Sequence, residues 1–146
     1  MKNEFNLESG EVKDETLKYH RVEGILINTI QSDRITCLSI AEESVALGTE
    51  EGFVHIISLN GDIVKSFKSH DRSINDISID NSGTTIASCS DNGSVILLYL
   101  GAEGEKETVY HLNEPIKCVC VEDDPHSKRD RCFVVGGVSG ECYFLL

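Results

Sequence analysis

Tryptophan is absent from the 146 residues, methionine occurs once and proline twice, and 13 basic side chains face 25 acidic ones. Each shortage excludes something. A net charge of −12 lacks the surplus of Lys and Arg that a phosphate backbone demands, so nucleic acid is not an expected partner. The same deficit argues against electrostatic docking on an anionic membrane surface. No apolar run approaches the roughly 18 residues of a transmembrane helix, so direct membrane insertion is not expected. Met1-Lys2-Asn3-Glu4 has no apolar stretch behind it and reads as no signal peptide; position 2 is not the glycine of myristoylation. Without a route to an oxidising compartment, the six cysteines read as reduced thiols. The Asn92-Gly93-Ser94 sequon then reads as a turn.

What is there is a repeat. Ile35-Thr36-Cys37-Leu38-Ser39-Ile40 recurs as Ile74-Asn75-Asp76-Ile77-Ser78-Ile79 and again as Ile116-Lys117-Cys118-Val119-Cys120-Val121. Downstream of each lies a second block that closes on Gly52, Gly93 or Gly140 and leads into an apolar strand. In those strands Val54, Val95 and Cys142 align as inward positions, as do Ile56, Leu97 and Phe144. A further strand precedes each copy, at 25–30, 63–68 and 107–112. The period of about 40–45 residues, with four short β-branched strands per unit, is that of propeller blades. Gly52, Gly93 and Gly140 fall where a tight hairpin needs positive φ. The expected fold is therefore all-β: a partial propeller of about three four-stranded blades, with repeats at approximately 25–59, 63–100 and 107–146. Residues 1–16 read as an acidic, solvated tail before a propeller region at 17–146.

The second unit resembles the WD-repeat family. Ser69-His70 stands where that family has Gly-His; Asp80-Asn81-Ser82-Gly83, Ile86-Ala87-Ser88 and Ser90-Asp91-Asn92-Gly93 follow in the family's order. The resemblance implies a hydrogen-bonded chain that stiffens the blade, with His70, Ser88 and Asn92 as a partial version. The family's tryptophan position holds Ile57, Leu98 or Leu145, so the pattern is divergent. Three blades in an open arc leave two apolar faces in water, and the chain closes on Cys142-Tyr143-Phe144-Leu145-Leu146. A piece of a chain at least twice as long is expected, which folds poorly by itself.

Chemical motifs are weak. Cys118, Cys120, Cys132 and Cys142 lack paired Cys-x-x-Cys spacing, and Cys142 is expected to fill a core position; Cys89 shares a small-residue column with Gly48 and Gly136. His20, His55, His70, His111 and His126 never fall at metal-ligand spacing. Gly137-Val138-Ser139-Gly140-Glu141 misses the second glycine of a nucleophile elbow and reads as a hairpin turn. No phosphate loop is present. The chain is thus expected to be no enzyme and to carry no metal or cofactor. The loop from Glu122 to Arg131 holds the local concentration of basic side chains, Lys128, Arg129 and Arg131; it reads either as a solvated loop or as a partner-binding one.

Leu17-Lys18-Tyr19, Ala46-Leu47-Gly48-Thr49 with Gly52, Gly61-Asp62-Ile63, Cys89-Ser90-Asp91-Asn92-Gly93, Pro115-Ile116-Lys117 and Phe133-Val134-Val135-Gly136-Gly137 occur in an order that resembles the vacuolar protein sorting 41 family, over about residues 17–146. That family supplies a subunit of the HOPS membrane-tethering complex. The resemblance implies a non-catalytic scaffold in the cytoplasm, peripheral on late endosomes, lysosomes or vacuoles. Its partners would be other tethering subunits and a small GTPase. In that family a helical solenoid and a zinc-binding domain follow the propeller. A generic WD-repeat adaptor in another cytosolic complex is the alternative.

Overall fold

The computed structural model describes residues 31–122 and 132–145. The tail at 1–16, the expected strand at 25–30, and Lys128, Arg129 and Arg131 lie outside the described residues. Three antiparallel meanders follow one another. The first runs β1 (Ile35–Ile40), β2 (Ser44–Thr49), β3 (Phe53–Ser58), β4 (Ile63–Lys68) in that spatial order. The second runs β5 (Ile74–Ile79), β6 (Thr85–Ser90), β7 (Ser94–Gly101), β8 (Gly104–His111). The third holds β9 (Ile116–Val121), β10 (Phe133–Gly137) and β11 (Cys142–Leu145). Runs rich in Ile and Val, broken at Gly- and Asp-bearing turns, dictate these short strands. Leading strands stand side by side, β5 against β1 and β2, and β9 against β5 and β6. That is the radial stacking of a partial β-propeller.

Repeat and sheet are one strand out of phase. Ile63–Lys68 precedes the second copy in sequence, yet it pairs with β3, through Val54↔Phe67 and His55↔Ser66, and completes the first sheet. β8 does the same for the second sheet, pairing Val95↔Tyr110. Each crossover therefore carries the chain from the outer edge of one sheet to the leading strand of the next.

Each interface repeats the previous one. Ala46, Val54 and Ile56 of the first sheet bury against Ile74, Ile77 and Ile86 of the second. Their equivalents Ala87 and Val95, with the half-buried Leu97, bury against Ile116, Val119 and Phe133 of the third. Register confirms the columns: Gly48↔Val54, Cys89↔Val95 and Gly136↔Cys142 are the corresponding pairs. The expected small-residue column holds, because a Cβ on Gly48 would lie 2.5 Å from Cys37 Sγ and one on Gly136 2.5 Å from Cys118 Sγ.

Two expectations fail in the third sheet. Cys142 is exposed rather than a core residue, and Phe144 is 72% exposed rather than inward. Both occupy the face that in the preceding sheets receives the next one; among the described residues nothing covers it. Pleat alternation set their direction correctly, but burial needs a neighbour.

The leading strands have a free edge whose amides must find partners. The neighbouring sheet provides them. Ile79 N donates to Ser39 Oγ (3.2 Å) and Val121 N to Ser78 Oγ (3.1 Å), while Val119 N donates to Asp76 Oδ2 (3.0 Å). In the opposite direction Thr36 Oγ1 donates to Ile74 O (2.6 Å) and Asn75 Nδ2 to Ile116 O (2.7 Å). Positions that look like polar alternation in the sequence thus tie one sheet to the next.

Gly52, Gly93 and Gly140 turn the hairpins at φ of 88°, 80° and 87°. The first two also clasp the crossover: Gly52 O accepts His70 N (3.0 Å) and Gly93 O accepts Leu112 N (2.9 Å). A Cβ at Gly52 or Gly93 would come 2.1 Å from the carbonyl oxygen of His70 or Leu112, whereas one at Gly140 meets nothing within 4 Å. Alanine at Gly140 is therefore expected to cost about 1–2 kcal/mol from backbone strain alone. Gly52→Ala and Gly93→Ala should each cost upward of about 3 kcal/mol, because rigid backbone must also move. Denaturant midpoints of the three variants check this ranking; equal losses would refute the clasp.

Candidate functional site

The second sheet carries a polar network inside its apolar surroundings. His70, on the β4–β5 crossover, is 2% exposed and lies between two strands. Its Nε2 is 2.8 Å from Ser88 Oγ on β6, and its Nδ1 is 2.6 Å from Ser94 Oγ at the start of β7. Asn92, on the β6–β7 turn, does not touch the ring. Its Oδ1 accepts Ser94 N (3.0 Å) and the Ser94 hydroxyl (2.6 Å). The order is Ser88–His70–Ser94–Asn92.

Donor accounting over the side chains selects one tautomer. Asn92 Oδ1 takes the backbone amide, so the Ser94 hydroxyl within reach must donate to that oxygen. Ser94 Oγ then accepts from His70 Nδ1–H, and Nε2, left as the acceptor, takes the Ser88 proton. The neutral Nδ1–H tautomer satisfies all of them at once. Burial drives the His70 pKa down to about 4, with Asp71 opposing and Lys68 assisting. Ser88 beside a histidine has the outline of a nucleophile with its base, but its side chain is wholly enclosed at 0% exposure. The network can hold a sheet rigid, and its only serine paired with Nε2, Ser88, is sealed away from solvent.

The other sheets use different devices at the equivalent turn. In the first, Asp33 Oδ1 accepts Glu51 N (2.9 Å) and Thr49 Oγ1 accepts Phe53 N (3.0 Å). Here His55 Nδ1 lies 2.7 Å from Ser66 Oγ, and burial again lowers the imidazole pKa, with Asp33 opposing. In the third, the half-buried Glu114 accepts Ser139 N (2.7 Å), the Ser139 hydroxyl (2.8 Å) and the Tyr143 hydroxyl (2.7 Å). The Ser139 amide leads the donors that lower the Glu114 pKa, and Glu141, ahead of Glu114, pushes the Tyr143 phenol up.

Ser94, Glu114 and Asp80 were missed by sequence reasoning. Asp80 Oδ1 accepts Thr84 N (2.8 Å) and Thr85 N (2.9 Å), which closes the β5–β6 turn. An Asx residue two to five positions before its donor was the available signal for Asp80 and for Asn92–Ser94. Glu114 had none, since it acts across 25 residues. Cys89 is fully buried, and desolvation raises its thiol to about 12. Among the described residues no group of His, Cys, Asp and Glu is placed to hold a metal ion.

The His70 network makes stability pH-dependent. The folded-state pKa lies below the ordinary value of 6.5, so the unfolded chain binds the extra proton first. This contribution is full above pH 6.5 and is lost as pH falls toward about 4. Between pH 7 and pH 5 the wild type is expected to lose about 2 kcal/mol more than His70→Gln, measured by urea unfolding. Equal losses would show that His70 does not titrate in this way.

Comparison with known proteins agrees with this architecture. The family model Beta-prop_Vps41, described as "Vps42 beta-propeller", matches residues 17–145. The chain is 37% identical over 127 residues to the vacuolar protein sorting-associated protein 41 homolog of Arabidopsis thaliana, covering 87% of this chain and 13% of that protein. It is 34% identical over 125 residues to the human homolog, covering 83% and 14%. To the Saccharomyces cerevisiae vacuolar protein sorting-associated protein 41 it is 29% identical, covering 86% and 12%. The chain therefore spans about one eighth of these relatives' lengths. Among solved structures, the β-propeller domain of Myceliophteria thermophila Cps50 (Swd1) superposes with a TM-score of 0.64 at 18% identity, over 75% of this chain and 34% of that one. That likeness concerns the fold alone. With its stacked sheets and a family model matching nearly the whole chain, the protein belongs to the Vps41 β-propeller family.

Proposed function

We propose that the chain is part of a non-catalytic contact platform in a vacuolar protein-sorting subunit that tethers membranes. The observation that carries this reading is the turning inward of the histidine–serine chemistry of the second sheet. Ser88, His70 and Ser94 are between 0% and 3% exposed, so their hydrogen bonds serve rigidity and leave the loops and outer strands as the presenting surface. Relatives named for vacuolar protein sorting, matched over most of the chain, support the process. On this reading other tethering subunits and a small GTPase are the partners, and membrane association is peripheral, through them, at late endosomes, lysosomes or vacuoles. The three stacked sheets act as one body. Lys128, Arg129 and Arg131 provide a basic rim loop for an acidic partner surface.

Affinity purification of the full-length protein is the test. Partner subunits are expected to co-purify, and Val135→Asp should reduce their recovery at least several-fold. The substitution buries a carboxylate at a position with 0% exposure between the second and third sheets, at a cost of about 3–5 kcal/mol. No partner with the wild type, or full recovery with the variant, would overturn the platform.

A further inference from the structure

A cleft of about 200 Å³ opens between the β4–β5 crossover and the second sheet, with His70, Ser94 and Asn92 of the network among its lining. The crossover residues Ser69 and Asp71 form one wall; Ile96 and the β8 residues Glu107, Val109 and His111 form the other. Register places these β8 residues on one face, since Ile96 pairs with Val109, Ser94 with His111 and Leu98 with Glu107. Farther along β8, Lys65 of the first sheet pairs with Glu105.

Its size selects the kind of ligand. Small-molecule pockets run to roughly 300–1,000 Å³; this one has room for about one long side chain. Its lining selects the chemistry. Val109 is 44% exposed, an aliphatic surface at the mouth, and Ile96 continues it inward. Asp71 and Glu107 bring two carboxylates to the same cleft, and no hydrogen bond or ion pair engages either among the described residues. His70 cannot neutralise them, because both ring nitrogens are held by serines. Ser69 lines the cleft, and its Oγ is shut off from solvent without a hydrogen-bond partner. An unsatisfied buried hydroxyl on a residue that lines a cavity is a feature that a ligand donor would relieve.

We propose that this cleft receives an arginine or lysine side chain presented by a partner polypeptide. The apolar stem lies along Val109 and Ile96, and the cationic head meets Asp71 and Glu107, with Ser69 Oγ taking a further N–H. A long cationic side chain has this division between an apolar stem and a charged tip, and the planar fork of arginine can address two carboxylates together. The acidic balance of the chain would draw such a partner in.

The experiment titrates n-butylguanidinium, the arginine side-chain analogue, into the full-length protein and follows the Val109 and Ile96 methyl resonances. Saturable shifts are expected with a dissociation constant on the order of millimolar, as suits a ligand of this size. The neutral isostere n-butylurea should bind at least tenfold more weakly. The Asp71→Asn, Glu107→Gln double variant should lose the response, with unchanged Ile74 and Val95 methyl positions showing that the sheets remain intact. Absence of saturable shifts, equal response to the urea, or an undiminished response in a double variant with an intact core would each overturn the proposal. Should the double variant not fold, the guanidinium–urea comparison on the wild type decides.

Discussion

A leading strand with no sheet beside it is the condition this architecture must avoid. β5 and β9 each pair on one edge only, and their other amides are satisfied by Ser39, Ser78 and Asp76. An orphaned amide out of water costs about 1–3 kcal/mol, so these side chains do more than decorate a surface. The apolar contacts reinforce the requirement, since Ala46, Val54 and Ile56 are closed off only by Ile74, Ile77 and Ile86. Removing one sheet would expose hydrocarbon and unpair backbone together. Stability in such a stack belongs to interfaces rather than to units.

The third sheet shows the same logic from the side that nothing covers among the described residues. Cys118, Cys120, Cys142 and Phe144 are exposed on the face whose counterparts in the first sheet, Cys37, Ser39, Val54 and Ile56, meet the second. The linking positions change there as well. Where Thr36 and Asn75 reach forward to the next sheet, Lys117 reaches back to Asp91, and cysteine stands at Cys120 in place of Ser39 and Ser78. Whatever covers this face meets thiols and an aromatic ring, not the hydroxyls used at the preceding junctions.

Much of this was legible in the sequence, for a physical reason. The inward isoleucines recur at 35, 74 and 116 because each starts the strand nearest its neighbour, and the turn glycines recur because φ near +85° admits little else. The all-β fold and its relatedness to the Vps41 propeller were readable from that order. The strand phase was not: a period marks the length of a unit without saying which sheet its first strand joins, and hydrogen bonding put 63–68 on β3. The His70 network was half visible. His70 and Ser88 stand at positions of a known pattern, while Ser94 looked like part of a sequon and proved to be the link to Asn92. Cys142 was misjudged because alternation gives direction only, and burial depends on what stands opposite. Glu114 was out of reach, since a carboxylate that caps a turn 25 residues away leaves no local trace.

The dependence of one sheet on the next is most directly measured by a double-mutant cycle across their boundary. Tyr110 of β8 and Phe133 of β10 meet edge to face, with ring centroids 5.4 Å apart, and belong to different sheets. Unfolding free energies of Tyr110→Leu, Phe133→Leu and the double variant in the full-length protein should reveal a favourable coupling of about 1 kcal/mol. Additivity within about 0.3 kcal/mol would mean that the sheets do not lean on one another, and would contradict the account.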